Sequence, residues 1–262
     1  MEGKDLLFYN EYEQFYAMTA QSEVFHRFCE EAFGEDFSQD GFSDIRQIDR
    51  ILGYVPKQKE AHILDIGCGN GKMLGYLQKK TGAFIHGFDY SQKAIETARQ
   101  LFPSCSDFRT GVIGQVDYLD DSFDVIVSMD SMYFADHIGQ FVGQLWRWLR
   151  PDGTFFCAYQ EGDVMPKTDS VDSSELAKAF QDNGIVFHAS DITKECYELL
   201  KRKREAAVLF REEFLQAGEK DWYDMLLMQT ECACEPFEYF QKKMSRYIFV
   251  AEKRGRNHGN QY

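Results

Sequence analysis

The sequence has no run of apolar residues approaching the roughly 20 needed to span a bilayer, so a membrane-spanning protein is not expected. Its start, Met1-Glu2-Gly3-Lys4-Asp5, is charged and leads into mixed polar sequence, and no signal-peptide h-region is read there. Basic charge is scarce. Lys and Arg total 29 against 43 Asp and Glu, a formal net charge of -14 with histidine neutral. That balance repels a phosphate backbone, so nucleic acid is not an expected partner. An anionic membrane surface is disfavoured for the same reason. A local basic pocket is still compatible with it.

No C-x-x-C pair occurs among Cys29, Cys68, Cys105, Cys157, Cys196, Cys232 and Cys234, and their number is odd. Reduced thiols in a cytoplasmic protein are the simplest reading. Cys232-Ala233-Cys234 is a close pair with no further ligands nearby, so it reads as two small residues on a helix and no metal is expected. There is no internal repeat and no low-complexity linker.

What is present is apolar and aromatic: 44% of the 262 residues are hydrophobic and 15% aromatic, enough to bury a sizeable core. Residues 1–60 read as helical and rich in rings (Phe8, Tyr9, Tyr12, Phe15, Tyr16, Phe25, Phe28, Phe33). A surface of that kind must pack on something, either as ordinary core or as a lid over a pocket. Residues 34–41 form a polar break, after which Ser43 is placed to cap a helix carrying Ile45, Ile48, Ile51 and Leu52.

From residue 61 strands and helices alternate. Strands are predicted at 61–66, 83–89, 107–110, 123–128 and 153–159, with helices at 71–80, after Ser91, and at 138–149. This order implies a mainly parallel sheet with helices on both faces. A helix at 173–182, a strand at 185–190, long helices at 193–217 and 220–244, and a last strand at 246–251 follow. The expected organisation is a helical N-terminal lid (1–60), a core (61–252) with a helical insertion at about 193–244, and a polar, disordered tail (253–262). The run Lys201-Arg202-Lys203-Arg204 falls within helix and reads as a solvated face.

The chemistry concentrates in Asp65-Ile66-Gly67-Cys68-Gly69-Asn70-Gly71, between a strand and a helix. Glycine tolerates the sharp turn and lets a ligand approach the backbone. Asp89 ends the second strand, where an acid can accept from both ribose hydroxyls. Dinucleotide enzymes share that arrangement, but their fingerprint would put a third glycine where Lys72 stands. Asp65, ahead of the glycines, would repel a pyrophosphate and attract an ammonium group.

At this point the sequence resembles the class I S-adenosylmethionine-dependent methyltransferases. Leu64-Asp65-Ile66-Gly67-Cys68-Gly69-Asn70-Gly71 is similar to the family's first motif, and Gly87-Phe88-Asp89-Tyr90-Ser91 to its second. Asp120-Asp121-Ser122-Phe123-Asp124-Val125-Ile126 is similar to the fourth-strand motif, and Leu149-Arg150-Pro151-Asp152-Gly153-Thr154 to the turn before the fifth strand. The resemblance implies a Rossmann-like α/β fold with a seven-stranded, mostly parallel sheet whose last strand runs antiparallel. It also implies S-adenosylmethionine as cofactor. Asp65, Gly67, Cys68 and Gly69 would surround its methionine part, Asp89 would hold the ribose, and Tyr90 would lie beside the adenine. Val112 stands where many members carry an Asp for the adenine amino group. That departure leaves adenine to backbone at Val112 and Ile113, or to an acid such as Asp117. Ser128 and Met129 would line the cofactor.

A narrower similarity links Phe33-Gly34-Glu35-Asp36-Phe37-Ser38 and Gly41 to the lid of phosphoethanolamine and sarcosine/dimethylglycine methyltransferases. Ser128-Met129-Asp130-Ser131-Met132 is similar to their segment after the fourth strand. This implies that Phe37, Ser38 and Gln39 touch cofactor and substrate, and that Asp130 faces a substrate amine. Their phosphate-binding residues after the fifth strand have no match at Cys157-Ala158-Tyr159-Gln160-Glu161, so a phosphobase is not implied. Asp130 and Tyr133 are the candidates to contact the nucleophile. The expected function is methyl transfer to a small-molecule acceptor, oligomeric state open. The rival classes are a cofactor-binding module without catalysis and a nicotinamide-dependent oxidoreductase.

Overall fold

A computed structural model describes residues 6–57 and 60–255. The reading of Met1 to Asp5 lies outside the described residues, as does that of the tail beyond residue 255. Helices α1 (Tyr9–Thr19), α2 (Glu23–Phe33) and α3 (Ile45–Asp49), with a 3-10 turn at Arg50–Tyr54, precede the sheet. Strands β1 (His62–Ile66), β2 (Phe84–Asp89), β3 (Ser106–Thr110), β4 (Phe123–Met129) and β5 (Leu149–Glu161) then alternate with α4 (Lys72–Thr81), α5 (Gln92–Leu101) and α6 (Ile138–Trp148). β3 and β4 have no helix between them. After α7 (Glu175–Asp182) and β6 (His188–Asp191) come α8 (Thr193–Leu209), α9 (Arg211–Gln216), α10 (Lys220–Gln229) and α11 (Phe237–Lys243), and β7 (Ser245–Glu252) closes the sheet.

The strand order is β3-β2-β1-β4-β5-β7-β6. β7 runs antiparallel to both β5 and β6, and the remaining pairings are parallel, as predicted. Strand residues alternate between two cores because successive side chains point to opposite faces. Ile63, Ile85, Val125, Val127 and Phe156 pack with α2, α4 and α5, whereas Leu64, Ile66, Phe88, Ile126 and Phe155 pack with α6 and α7. The chain order reverses between β1 and β4, and open sheets of this kind hold ligands beyond the strand ends at such a reversal.

Four sequence readings need correction. Ser43 does not cap α3. Asp44 does, accepting from the Gln47 amide at 3.1 Å, and Ser43 is spent elsewhere. The stretch 185–190 is not all strand: the Ile185 amide closes α7 onto the Phe180 carbonyl through Gly184 in the left-handed region, so β6 starts at His188. Two long helices were expected between 193 and 244. Both are broken: the first at Phe210, between α8 and α9, and the second by a 3-10 turn at Glu231–Cys234 and by Pro236, which lacks the N–H a helix needs. The 201–204 run is not a solvated face. Lys203 is 1% exposed and donates to Gln229 at 2.9 Å, Arg202 pairs with Asp44, and Arg204 donates to the Leu227 carbonyl. Only Lys201 of the four is exposed.

Candidate active site

β1 delivers Asp65 to the sheet's carboxyl edge, and the chain turns at once. Gly67 and Gly69 take positive φ of 73° and 51°. A side chain at Gly67 would meet Ser131 Cβ at 2.6 Å, and one at Gly69 would run into the Tyr16 hydroxyl. The amides of Gly67 and Cys68 both donate to the Phe88 carbonyl, which ties the loop to β2. Asp89, at the end of β2, accepts from the Gly69 amide at 2.9 Å and the Ser91 amide at 2.8 Å. Burial pushes its carboxyl up to about 6, opposed by those two amides.

Asp65 is 3% exposed, and its Oδ1 has no hydrogen-bond partner among the described residues. Burial, and secondly Asp89, push its carboxyl well above the usual range. A buried carboxylate oxygen without a donor is costly unless a donor arrives. Burial likewise raises the Cys68 thiol, which argues for a space-filling role rather than a thiolate.

Gln39, Asp65, Gly67, Cys68, Gly69, Asp89, Tyr90, Val112, Ile113, Met129, Asp130 and Tyr133 line one cavity above these strand ends. Ser38 and Ser128 do not line it. The Ser38 hydroxyl points to Asp36 and receives Lys72 Nζ at 2.8 Å. Ser128 lies beneath the cavity, bonded to Ser131 at 2.7 Å. Because the Ser131 hydroxyl donates to the Ile66 carbonyl, Ser128 is the donor of that pair. Asp117 does not line the cavity either: it accepts from Trp148 Nε1 at 2.9 Å and from Gln144.

Asp130 sits at φ 64° just past β4. Its two oxygens are gripped by both terminal nitrogens of Arg246, and Oδ2 also accepts from the Phe42 amide and the Ser43 hydroxyl at 3.3 Å each. Arg246 donates further to Ser43 and Gln47, and is 1% exposed. Tyr133 packs on Phe134 and Tyr159. Burial, and then Asp130, hold its phenol well above the ordinary value, so its hydroxyl stays protonated.

Sequence reasoning missed several lining residues. Tyr12 and Tyr16 come from α1, Asp40 from the break after α2, Asn70 from the glycine loop, and Ser131 and Asp136 from the segment after β4. The rings of α1 were visible as a group, but their spacing does not say which two face a ligand. Asp40 accepts twice from Gln229 and lies 3.7 Å from Lys203, partners no local pattern reveals. None of the described cavity-lining residues is Lys, Arg or His.

Residues 64–157 match a family model described as methyltransferase domain. The chain is 28% identical over 243 residues to phosphoethanolamine N-methyltransferase 1 of Arabidopsis thaliana, covering 86% of this chain and 48% of that one. It thus spans about half the length of that curated relative. Phosphoethanolamine N-methyltransferase 2 of Haemonchus contortus, solved with phosphomonomethylethanolamine and S-adenosylhomocysteine, superposes with a TM-score of 0.77 at 17% identity. The match covers 97% of this chain and 61% of that one. The cyclopropane synthase MmaA2 of Mycobacterium tuberculosis superposes at 0.69 and 18% identity, covering 92% and 98%. The fold is that of the class I methyltransferases.

Proposed function

We propose that this chain, built on the class I methyltransferase fold, binds S-adenosylmethionine along the glycine loop and transfers its methyl group to a small, unphosphorylated acceptor. The observation that carries the reading is that Asp65, which lines the cavity, keeps a buried carboxyl oxygen, Oδ1, without a donor among the described residues. An ammonium group would supply the missing donor and the missing charge. The rest of the cavity fits the same ligand. Gly67 and Gly69 line it with bare backbone, Asp89 keeps lone pairs for ribose hydroxyls, and Tyr90 with backbone at Val112 and Ile113 flanks space for an adenine.

Bound there, the cofactor supplies a methyl group already activated by sulfonium charge. The chain's task is then alignment and exclusion of water, and alignment can contribute about 7–11 kcal/mol. Tyr12, Tyr16, Phe37 and Phe134 line the cavity with aromatic rings, which suits them to keeping water from the reacting groups. Asp130 and Tyr133 stand where an acceptor would meet the methyl. The protonated Tyr133 hydroxyl can donate to the acceptor or accept from it, and Asp130 is ion-paired, which suits both to orienting rather than to proton removal.

Three acids (Asp40, Asp130, Asp136) among aromatic rings suit an amine or a small amphipathic acceptor. A phosphate group would find no cation among the described residues of the cavity wall. This separates the proposed acceptor from the phosphorylated amines named for the relatives.

Calorimetry with S-adenosylmethionine and with nicotinamide dinucleotides tests the binding step. Uptake of nicotinamide cofactor alone sinks the reading. A screen of amines, phenols, carboxylates and phosphoethanolamine, read by product mass, tests the transfer. Binding with no methylated product from any acceptor would favour a cofactor-binding module. Turnover confined to phosphoethanolamine, nucleic acid or protein would refute the acceptor class.

A further inference from the structure

The Lys72 ammonium closes a network between the glycine loop and the segment after α2. It pairs with Asp36 Oδ2 at 2.5 Å and donates to Ser38 Oγ at 2.8 Å. Ser38 in turn donates to Asp36 Oδ1 at 2.5 Å. Asn70, inside the glycine loop, donates its side-chain amide to the Ser38 carbonyl at 3.1 Å and accepts from the Lys72 backbone amide at 3.1 Å. Lys72 and Asp36 side chains are 19% and 18% exposed, so the pair is largely shielded from solvent. Ser38 itself is fully buried at φ 42°, a backbone state for which a serine has no steric preference. Its neighbours Phe37 and Gln39 are the two side chains that this segment sends into the cavity beside Gly41 and Asp40.

From this geometry we infer that Lys72 is a positioning residue. It latches residues 36–39 onto the glycine loop, and so sets the rate at which the cavity opens for cofactor and product. The inference rests on the cofactor reading above. Lys72 does not line the cavity, so it acts on the ligand through Phe37 and Gln39 and not by touching it. Opening the segment strips the lysine of its carboxylate, the Ser38 carbonyl of its donor and Asn70 of its acceptor in one step. Such linked, shielded contacts favour two discrete positions over gradual fraying. A lysine here also explains why the loop departs from a third glycine. The position carries a tether instead of a close approach.

The test uses the full chain and its Lys72→Met, Asp36→Asn and charge-reversed Lys72→Asp/Asp36→Lys variants. S-adenosylhomocysteine association and dissociation are followed by surface plasmon resonance. Hydrogen exchange is followed at residues 34–41 without ligand. A latch predicts that each single variant speeds both association and dissociation at least five-fold, with exchange at 34–41 faster to a similar degree. It also predicts that the reversed pair recovers much of the slowing. Faster dissociation in Lys72→Met with unchanged association, and no effect of Asp36→Asn, would mean that Lys72 contacts the ligand directly, and the latch is wrong. Unchanged rates and exchange in the single variants overturn it too. If the unaltered chain binds no S-adenosylhomocysteine, the cofactor reading fails, and exchange at 34–41 still decides the latch.

Discussion

Arg246 holds Asp130 from behind: both terminal nitrogens of the guanidinium reach the two carboxylate oxygens, across 116 residues of sequence. Asp130 shows its other side to the cavity, so one buried pair joins the end of β4, the start of β7 and the Ser43 hydroxyl. The acid expected to meet the acceptor is thus a charge already committed inside the protein.

Breaking that pair from the arginine side leaves a buried carboxylate alone. Arg246→Met is expected to lower unfolding free energy by about 3–5 kcal/mol. The double variant with Asp130→Asn should lose less than the two single losses added, because each single change strands a charge and the double change strands none. Urea unfolding midpoints of the four proteins check it, and additive losses would contradict the coupling.

Asp130→Asn is expected to bind S-adenosylmethionine as the unaltered chain does and to transfer methyl groups more slowly. Calorimetry and single-turnover product formation separate the two effects. Full activity in this variant would remove Asp130 from the reaction.

Asp65 should release a proton when the cofactor binds. Burial raises its carboxyl in the free protein, and an ammonium group beside it favours the charged form. Binding heats measured in buffers of different ionisation enthalpy will show the release. Asp65→Asn should abolish it and weaken binding by about 1.5–3 kcal/mol, the range for a hydrogen bond to a charged group.

Asp89 titrates at about 6 in the free chain. Its charged form is the better acceptor for ribose hydroxyls, so cofactor affinity is expected to fall as pH drops through that value. The sign for folding is opposite. With the folded value above the ordinary 3.8, the group's contribution to stability is fully present below about 3.8 and is lost as pH rises through 6. Affinity measured between pH 5 and pH 8 checks the first statement, and a flat profile would contradict it.

His86 is lowered to about 4, chiefly by burial and then by His62. The unfolded chain therefore takes up a proton that the folded one refuses. Stability from this group is intact above about 6.5 and is lost as pH falls towards 4. His86→Phe should flatten the acid limb of a melting-temperature profile over that interval. An unchanged limb would assign acid sensitivity to other groups.

The legible parts of this protein were those written locally. The β1 run into Asp65 and the glycines, Asp89 one strand later, and the Ser91 cap each depend on neighbours within a few residues, so pattern reading reached them. Ser43 and the 201–204 run misled for the converse reason. A serine before a helix reads as a cap until Asp44 competes, and a basic run reads as solvated until Asp44, Gln229 and the Leu227 carbonyl fold against it. Arg246 gave no signal at all, since its role exists only where β7 passes Asp130 and Ser43. Lys72 was noticed for the glycine it replaces, and its partners lie 36 and 34 residues upstream.

The grip of Arg246 on Ser43 spans 203 residues of a chain of 262. During synthesis the helices around residue 43 and the glycine loop emerge long before the strand that anchors them. The floor of the cavity therefore waits for β7. A ribosome paused, or a chain cut, ahead of residue 246 would present Asp130 without its cation and the first helices without their last fastening. Late completion of this kind makes the fixed position of Asp130 and Ser43 a report that β7 has joined the sheet.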